Sequence, residues 1–251
     1  MTSRPRVAIA HDYLTQRGGA ERVVLSLMRA FPDAPIYTTL YNPPGTYPEF
    51  ADAKIVTSWL NNIPLFRKDH RPALPLLALA ANSLRIDADV VIASSTGWAH
   101  GFPTSGRKLV YCHSPARYLY RTEEYLGQPA RSSLKGQLLM AMRPALVRWD
   151  QHAARSADRY VCNSTVVQRR IAEVYGIESD VIAPPAGVKS TGRQEPVEQL
   201  QDWADGYYLV VSRLLPYKNV QRVIEAFHGT SEKLAIAEDV NIFGSVVDFV
   251  C

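Results

Sequence analysis

The feature that most constrains the fold is a series of short, largely apolar runs separated by segments with helical spacing. A strand that is apolar on both sides must be covered on both faces, and strands joined through helices run parallel. The pattern therefore predicts an α/β fold, with a parallel sheet between two layers of helices. The runs that we interpret as buried strands cover residues 6–10, 89–93, 108–112, 160–162, 180–183 and 207–211.

The intervening segments have the spacing of helices. Residues 20–31 and 165–175 carry apolar side chains at helical intervals, and the second segment leads to Gly176, a residue typical of helix ends. We also predict helices at 74–84 and at 135–157, the latter bent at Pro144, and β structure at 36–40 and 54–57.

The alternation breaks between residues 184 and 206, where prolines and glycines form a turn-rich connection. A strand, a helix and a second strand follow, at 207–211, 219–228 and 234–237. We therefore predict two Rossmann-like domains: a complete one over 1–187, a linker over 188–206 and a partial one over 207–251.

The composition is ordinary for a soluble globular protein, with 251 residues of which 47% are hydrophobic and 21% charged. The net charge of +4 suits an anionic substrate, an anionic membrane surface or a solvated surface equally well. The absence of a dense Lys/Arg run argues against a nucleic-acid partner.

The 3 cysteines lack metal-ligand spacing and the N-terminus lacks a signal-peptide pattern, so we expect a reduced, cytoplasmic compartment.

Parallel sheets bind ligands beyond the carboxyl ends of their strands, so the loops at those ends are informative. Gly18 and Gly19 follow the first strand and precede a helix, where glycine lets the backbone approach a ligand at the positive helix end. An ordinary strand-to-helix turn would explain the same pair. The dinucleotide pattern G-x-G-x-x-G is absent, which argues against a nicotinamide oxidoreductase.

His113 directly follows the strand at 108–112 and so reaches the same edge of the sheet. It could orient a sugar or stabilise charge there, or it could only fix its own loop through backbone contacts. Ser164, after the strand at 160–162, is expected to cap the next helix.

Arg213 and Lys218 lie between the end of a strand and the start of a helix. Two cations beside a helix N-terminus form a suitable receptor for a diphosphate. Two cations can stabilise a departing nucleotide diphosphate without a metal. Asp87 and Asp89 precede a strand and so lie at the opposite edge of the sheet, where we expect surface charges. We therefore predict no metal cofactor.

The helix at 135–157 carries Lys135, Arg143, Arg148 and Arg155 among apolar residues. A basic helix of this kind either rests on an anionic membrane or presents a solvated basic face, and the second interpretation is the more common one.

Taken together, these segments resemble glycosyltransferase family 4, whose members have the GT-B fold. The resemblance extends approximately from residue 4 to residue 235. Residues 11–22 are similar to the family's N-terminal loop, 112–117 to its cleft histidine segment, 163–164 to its strand end before the hinge, and 212–218 to its donor loop. Within the family, the chain looks similar to bacterial mannosyltransferase-like enzymes of surface polysaccharide synthesis.

The resemblance implies a hexosyltransferase that moves a sugar from a nucleotide diphosphate to a hydroxyl acceptor with retention at the anomeric carbon. The donor would be GDP-mannose or a UDP-sugar, and the acceptor a glycan or a lipid-linked molecule, with peripheral contact at the inner face of a membrane. His113 would contact the sugar at the reacting centre, and Gly18 and Gly19 the donor phosphate or the acceptor. Arg213 and Lys218 would neutralise the leaving diphosphate.

The sequence departs from the family pattern towards its C-terminus. The family's E-P-F-G…E segment, whose glutamates hold the donor sugar and ribose, is absent, while residues 240–244 resemble a later strand of the family. We therefore expect a truncated donor domain and an impaired transferase. Two alternatives stay open: a non-catalytic module that pairs with a separately encoded C-terminal half, and a different sugar-phosphate enzyme on the same fold.

Overall fold

The computed structural model describes residues 4–185, 197–203, 205–212, 214–215, 218–237 and 247–250. Within these residues the chain forms a seven-stranded sheet and a three-stranded sheet. The predicted Arg213 and residues 240–244 lie outside the described residues.

The first sheet is parallel throughout, as the apolar runs predict. Its strand order is β3-β2-β1-β4-β5-β6-β7. This order makes β1, β4 and β5 neighbours at the centre of the sheet. The strands are β1 Val7–His11, β2 Ile36–Thr38, β3 Ile55–Thr57, β4 Val90–Ser95, β5 Arg107–Cys112, β6 Arg159–Cys162 and β7 Ser179–Val181.

Eight α-helices lie in the described part of the chain, and short 3-10 turns separate several of them. The helices are α1 Gly19–Ala30, α2 Pro64–Lys68, α3 Leu74–Ser83, α4 Arg117–Tyr120, α5 Thr122–Leu126, α6 Leu134–Arg155, α7 Thr165–Tyr175 and α8 Val220–Phe227. The 3-10 turns are Pro43–Gly45, Pro48–Asp52, Trp59–Asn62, Arg71–Ala73, Ala99–Gly101, Ala130–Ser132 and Glu198–Trp203.

The ends of α7 have the residues that the sequence predicts for them. Ser164 Oγ accepts a hydrogen bond of 3.3 Å from the amide of Val167, which confirms its role as the N-cap. At the other end, Gly176 adopts a φ of 68°, and its amide donates to the carbonyl of Ala172. The longer α6 continues through Pro144 over 22 residues.

Apolar side chains cover both faces of the first sheet. Ala8 and Ala10 of β1 belong to one buried cluster with residues of α7, while Ile9 between them packs with α1 on the other face. This explains the continuous apolar run of β1, since alternate residues point to opposite layers. A fully buried Leu, Ile or Phe in such layers stabilises the fold by about 1.5–3 kcal/mol.

The second sheet has the order β10-β9-β8 and packs against α8. Its strands are β8 Tyr208–Val211, β9 Leu234–Ala237 and β10 Val247–Val250. β8 and β9 pair in parallel, but β10 pairs with β9 antiparallel, which differs from an all-parallel Rossmann-like sheet. A parallel neighbour needs a crossover of a dozen or more residues, and the nine residues 238–246 between β9 and β10 are too few.

Candidate functional site

Three loops meet at the carboxyl edge of the first sheet, where β1, β4 and β5 end side by side. The register places His11 of β1 beside Ser94 of β4, and Ser94 beside Tyr111 of β5. Polar side chains that lie far apart in the sequence therefore share one small region. The sequence locates this edge because each loop follows an apolar run, but it cannot supply the strand order.

The glycine pair lies at the start of α1. Gly18 is the N-cap residue, and a Cβ atom on it would lie 2.6 Å from Oε2 of Glu21. A Cβ atom on Gly19 would meet no heavy atom within 4 Å, so the space beside Gly19 is open. A side chain at position 18 would therefore have to displace the buried carboxylate of Glu21. The open space at Gly19 is compatible with a ligand that approaches the backbone, and that role stays a prediction.

A buried ion pair lies beneath this loop. His11 Nε2 is 3.7 Å from Oε1 of Glu21, and both side chains are almost completely buried. Gln16 Nε2 also donates to Glu21 Oε1, at 3.0 Å. No sequence pattern indicated a role for His11 or Glu21. Glu21 lies in the glycine motif, but nothing in its spacing indicates a partner on β1.

The two groups hold each other in the charged state. Burial acts to lower the pKa of His11, but the nearby carboxylate of Glu21, together with Asp12 and the Ser94 carbonyl, outweighs burial and leaves that pKa raised. Burial acts to raise the pKa of Glu21, and the contact with His11 reverses this and leaves the pKa lowered. The centre of the edge therefore carries an internally neutralised pair.

His113 lies where the sequence predicts it, at the end of β5. Its Nε2 is 2.8 Å from Oγ of Ser94, and its ring meets Tyr111 edge-on at 5.2 Å between centroids. Burial lowers the pKa of His113 to about 4, with a further contribution from the charge of His11. The imidazole is therefore neutral at pH 7 and suited to hydrogen bonding rather than to charge stabilisation.

Backbone contacts also fix the loop that carries His113. The amide of His113 donates to the carbonyl of Ser95 at 2.9 Å, and its carbonyl accepts from Nδ2 of Asn163 at 3.2 Å. The two interpretations of His113 are thus not exclusive, since its backbone stabilises the loop while its ring lies at the sheet edge.

Asp12 stabilises the loop after β4 through hydrogen bonds to its backbone. Its carboxylate accepts hydrogen bonds from the amides of Thr96 at 2.6 Å, Trp98 at 3.1 Å and Ala99 at 2.6 Å. Within this loop Gly97 has a φ of 143°, and a Cβ atom there would lie 2.9 Å from Cβ of Ala116. The carboxylate of Asp12 is therefore a structural anchor, a role that the sequence alone does not reveal.

A second imidazole lies beside the loop after β1. The His70 ring stacks on Tyr13 at 3.9 Å between centroids, and its Nδ1 lies 3.4 Å from Oγ1 of Thr15. Burial lowers the pKa of His70 to about 4, so it too is neutral at pH 7. No sequence pattern indicated His70, because this residue lies in an irregular segment and not after a strand.

Lys218 lies on the second sheet's side of the molecule. It is exposed between β8 and α8, and its amide donates to the carbonyl of Leu215 at 2.8 Å. Its predicted partner Arg213 lies outside the described residues.

A groove of about 820 Å³ separates α5 from the segment around α8. Glu123 and Glu124 line one side, and Leu215, Asn219 and Arg222 are among the residues on the other. The described lining of this groove includes neither the glycine pair nor His113, and Lys218 is not part of it either.

Within the described ranges, no group of three or more His, Cys, Asp or Glu residues is arranged to hold a metal ion. The prediction that no metal takes part stays a prediction. Likewise, none of the described helices combines the length and apolar character that a membrane span requires.

The family model for Glycosyltransferase Family 4 matches residues 17–189, which is more than two thirds of the chain. The chain belongs to glycosyltransferase family 4. It is therefore a member of a transferase family, as the resemblance of its motifs predicted. No curated protein matches the chain at a significant level.

Two solved structures are similar to this family 4 member. The HepE protein of Anabaena, solved in complex with UDP, is 15% identical with a TM-score of 0.51, over 88% of this chain and 57% of its own. The lipopolysaccharide outer core galactosyltransferase WaaB, in its apo form, is 13% identical with a TM-score of 0.46, over 93% of this chain and 60% of its own. The chain thus spans about three fifths of the length of either protein.

The fold prediction is confirmed for this family 4 chain, because its α/β architecture is that of GT-B glycosyltransferases. The division at 188–206 and the roles of Gly18, Gly19, His113 and Lys218 stay predictions. The structure brings the glycine loop and His113 to one edge, and it adds His11, Glu21 and Ser94 to them.

Proposed function

We propose that the chain acts as a retaining hexosyltransferase, which moves a sugar from a nucleotide-diphosphate sugar to a hydroxyl acceptor in glycan or polysaccharide synthesis. Membership of family 4 supports the reaction class. The observation that carries the proposal is the neutral imidazole of His113 at the carboxyl edge, two strands from the open backbone of Gly19. A neutral imidazole can hydrogen-bond a sugar hydroxyl without adding charge to the site.

In this proposal each predicted residue has one task. His113 donates a hydrogen bond to the transferred sugar, and the backbone at Gly18 and Gly19 approaches the donor phosphate or the acceptor. Arg213 and Lys218 neutralise the diphosphate as it leaves, so that no metal cofactor is needed. The exposure of Lys218 next to the start of α8 supports its part, since a cation and a helix N-terminus both favour phosphate.

GDP-mannose and UDP-sugars are the two donor classes that we propose to test. The structure of HepE in complex with UDP favours a UDP-sugar as the first candidate. The resemblance to mannosyltransferase-like enzymes favours GDP-mannose.

For the acceptor we propose a glycan or a lipid-linked molecule, reached by peripheral contact with the inner face of the membrane. Leu134 and Leu138 lie one turn apart on α6 and are 83% and 55% exposed, beside the exposed Lys135 and Arg131. Exposed apolar side chains beside cations suit an anionic lipid surface. Further along α6, Arg143 donates to the carbonyl of Leu119, so this cation stabilises the fold instead.

Cys112 and Cys162 are free and buried, which suits a reducing cytoplasm.

The test is a donor panel. The full chain is incubated with GDP-mannose, UDP-glucose and UDP-galactose and with simple glycan and lipid-linked acceptors, and the product is analysed by NMR. We expect one donor to be consumed and the anomeric configuration of its sugar to be kept. An inverted product would contradict the retaining mechanism. Consumption of no donor would favour the non-catalytic module that pairs with a second chain.

A further inference from the structure

Three side chains form a hydrogen-bonded row across the ends of β1, β4 and β5. His11 Nδ1 lies 3.0 Å from the carbonyl oxygen of Ser94 and 3.1 Å from its Oγ. Ser94 Oγ lies in turn 2.8 Å from Nε2 of His113. Ser94 is completely buried, so its hydroxyl hydrogen needs an acceptor inside the protein.

The contacts of Ser94 fix the direction of every hydrogen bond in the row. A carbonyl oxygen only accepts, so Nδ1 of His11 must carry the hydrogen that points at Ser94. The same N–H also faces the hydroxyl oxygen of Ser94, so the hydroxyl hydrogen has to point elsewhere. Its partner is Nε2 of His113, which therefore accepts.

The reverse arrangement leaves a buried donor without a partner. If Nε2 of His113 carried a hydrogen, it would point at the Ser94 oxygen, and the hydroxyl hydrogen would lack an acceptor among the described contacts of Ser94. Buried donors without partners are strongly disfavoured. A doubly protonated His113 would meet the same obstacle.

We propose that Ser94, oriented by His11, is a positioning residue that holds His113 as a neutral imidazole with its proton on Nδ1. His113 then offers an Nδ1–H donor at the carboxyl edge of the sheet. The ligand that this donor selects is an oxygen acceptor, such as a hydroxyl of the transferred sugar, and this last step rests on the proposed function.

The neutral state is favoured by burial and by the charge of His11, and it is opposed by the negative charges of Asp12 and Glu21 around His113. Three titratable groups act on it electrostatically: His11 at the end of β1, Asp12 in the next loop and Glu21 of α1. Glu21 keeps His11 charged and hence a firm donor, and that positive charge opposes a second proton on His113. Burial acts in the same direction and holds the pKa of His113 at about 4.

The tautomer is measured directly by NMR of the full chain with ¹⁵N-labelled histidine, recorded at pH 7 without substrate. The chain has 6 histidines, and a His113→Gln variant identifies the signals of His113. We expect its Nε2 to resonate as an unprotonated nitrogen and its Nδ1 as a protonated one. Ser94→Ala should lose this pattern and populate the Nε2–H form, whereas Ser94→Thr, which keeps a hydroxyl, should retain it.

Ser114→Ala is the matched control, because Ser114 is buried next to His113 but its Oγ donates to the carbonyl of Pro115. It should leave the His113 signals unchanged. A protonated Nε2 in the unmodified chain would overturn the inference, even if a Ser94 variant failed to fold. An unchanged pattern in a folded Ser94→Ala variant would overturn it too. Failure of every donor to react would defeat the proposed function but leave this spectrum as it is.

Discussion

At the scale of single residues, the site is organised by the charged pair of His11 and Glu21. Both side chains are almost completely buried, and Gln16 is a further partner of the carboxylate. Removing one member of such a pair leaves a charge inside the protein without compensation. The pair is therefore expected to matter for stability as well as for the state of His113.

We predict that Glu21→Gln lowers the free energy of unfolding by about 3–5 kcal/mol, the usual loss when a buried ion pair is broken. Urea denaturation followed by circular dichroism measures this loss. Glu173→Gln is the control, since Glu173 is exposed on α7 and its replacement should change stability by less than about 0.5 kcal/mol. Equal effects of the two substitutions would show that Glu21 has no buried charged partner.

The neutral histidines make stability depend on pH. His70 and His113 have pKa values of about 4 in the folded chain, below the ordinary value near 6.5, so the unfolded chain binds more protons between these limits. The free energy of unfolding should therefore rise as the pH increases from about 4 to about 6.5. Its slope against pH should correspond to the uptake of up to about two protons on unfolding. His11 acts in the opposite sense, because its raised pKa means that its stabilisation is lost at higher pH.

Urea unfolding at intervals between pH 4 and pH 7 tests this dependence. His70→Gln should reduce the slope by about one proton. A slope that is the same with and without His70 would mean that this histidine titrates normally in the folded chain.

At the scale of elements, the sequence predicts the strands and helix ends that depend on local pattern. It does not predict the contacts that depend on which strands are neighbours in the sheet. The strands of the first sheet are found because they are apolar on both sides, and Ser164 and Gly176 are found because helix ends need such residues. The contact of Ser94 with His11 and His113 depends on β4 lying between β1 and β5, an order that no local pattern encodes. The antiparallel β10 was missed for the same reason.

The loop after β4 gives a test at this scale. Gly97→Ala meets both a disfavoured φ of 143° and a close contact with Ala116, so we expect it to cost about 1–3 kcal/mol of stability. Gly176→Ala is the matched control, because its φ of 68° is also positive while its Cβ would meet no atom within 4 Å. Thermal unfolding should show a larger loss for Gly97→Ala, and a loss no larger than that of Gly176→Ala would contradict the role of the contact.

At the scale of the whole molecule, the proposed reaction needs both sheets. The glycine loop and His113 lie on the seven-stranded sheet, and Lys218 follows β8 of the three-stranded sheet. The groove between α5 and α8 is bordered by residues from both parts of the chain. A donor whose diphosphate is held at Lys218 and whose sugar is directed towards His113 would have to extend from the three-stranded sheet to the seven-stranded sheet.

Calorimetric titration of the full chain with a nucleotide sugar tests that claim most directly. We predict measurable binding of GDP-mannose or a UDP-sugar, weakened in Lys218→Ala by about 1.5–3 kcal/mol, or roughly ten- to more than a hundredfold, the range for hydrogen bonds to charged groups. Lys233→Ala, which removes a cation just before β9, should bind as the unmodified chain does. Unchanged affinity in Lys218→Ala, or no binding of any nucleotide sugar to the unmodified chain, would contradict the account.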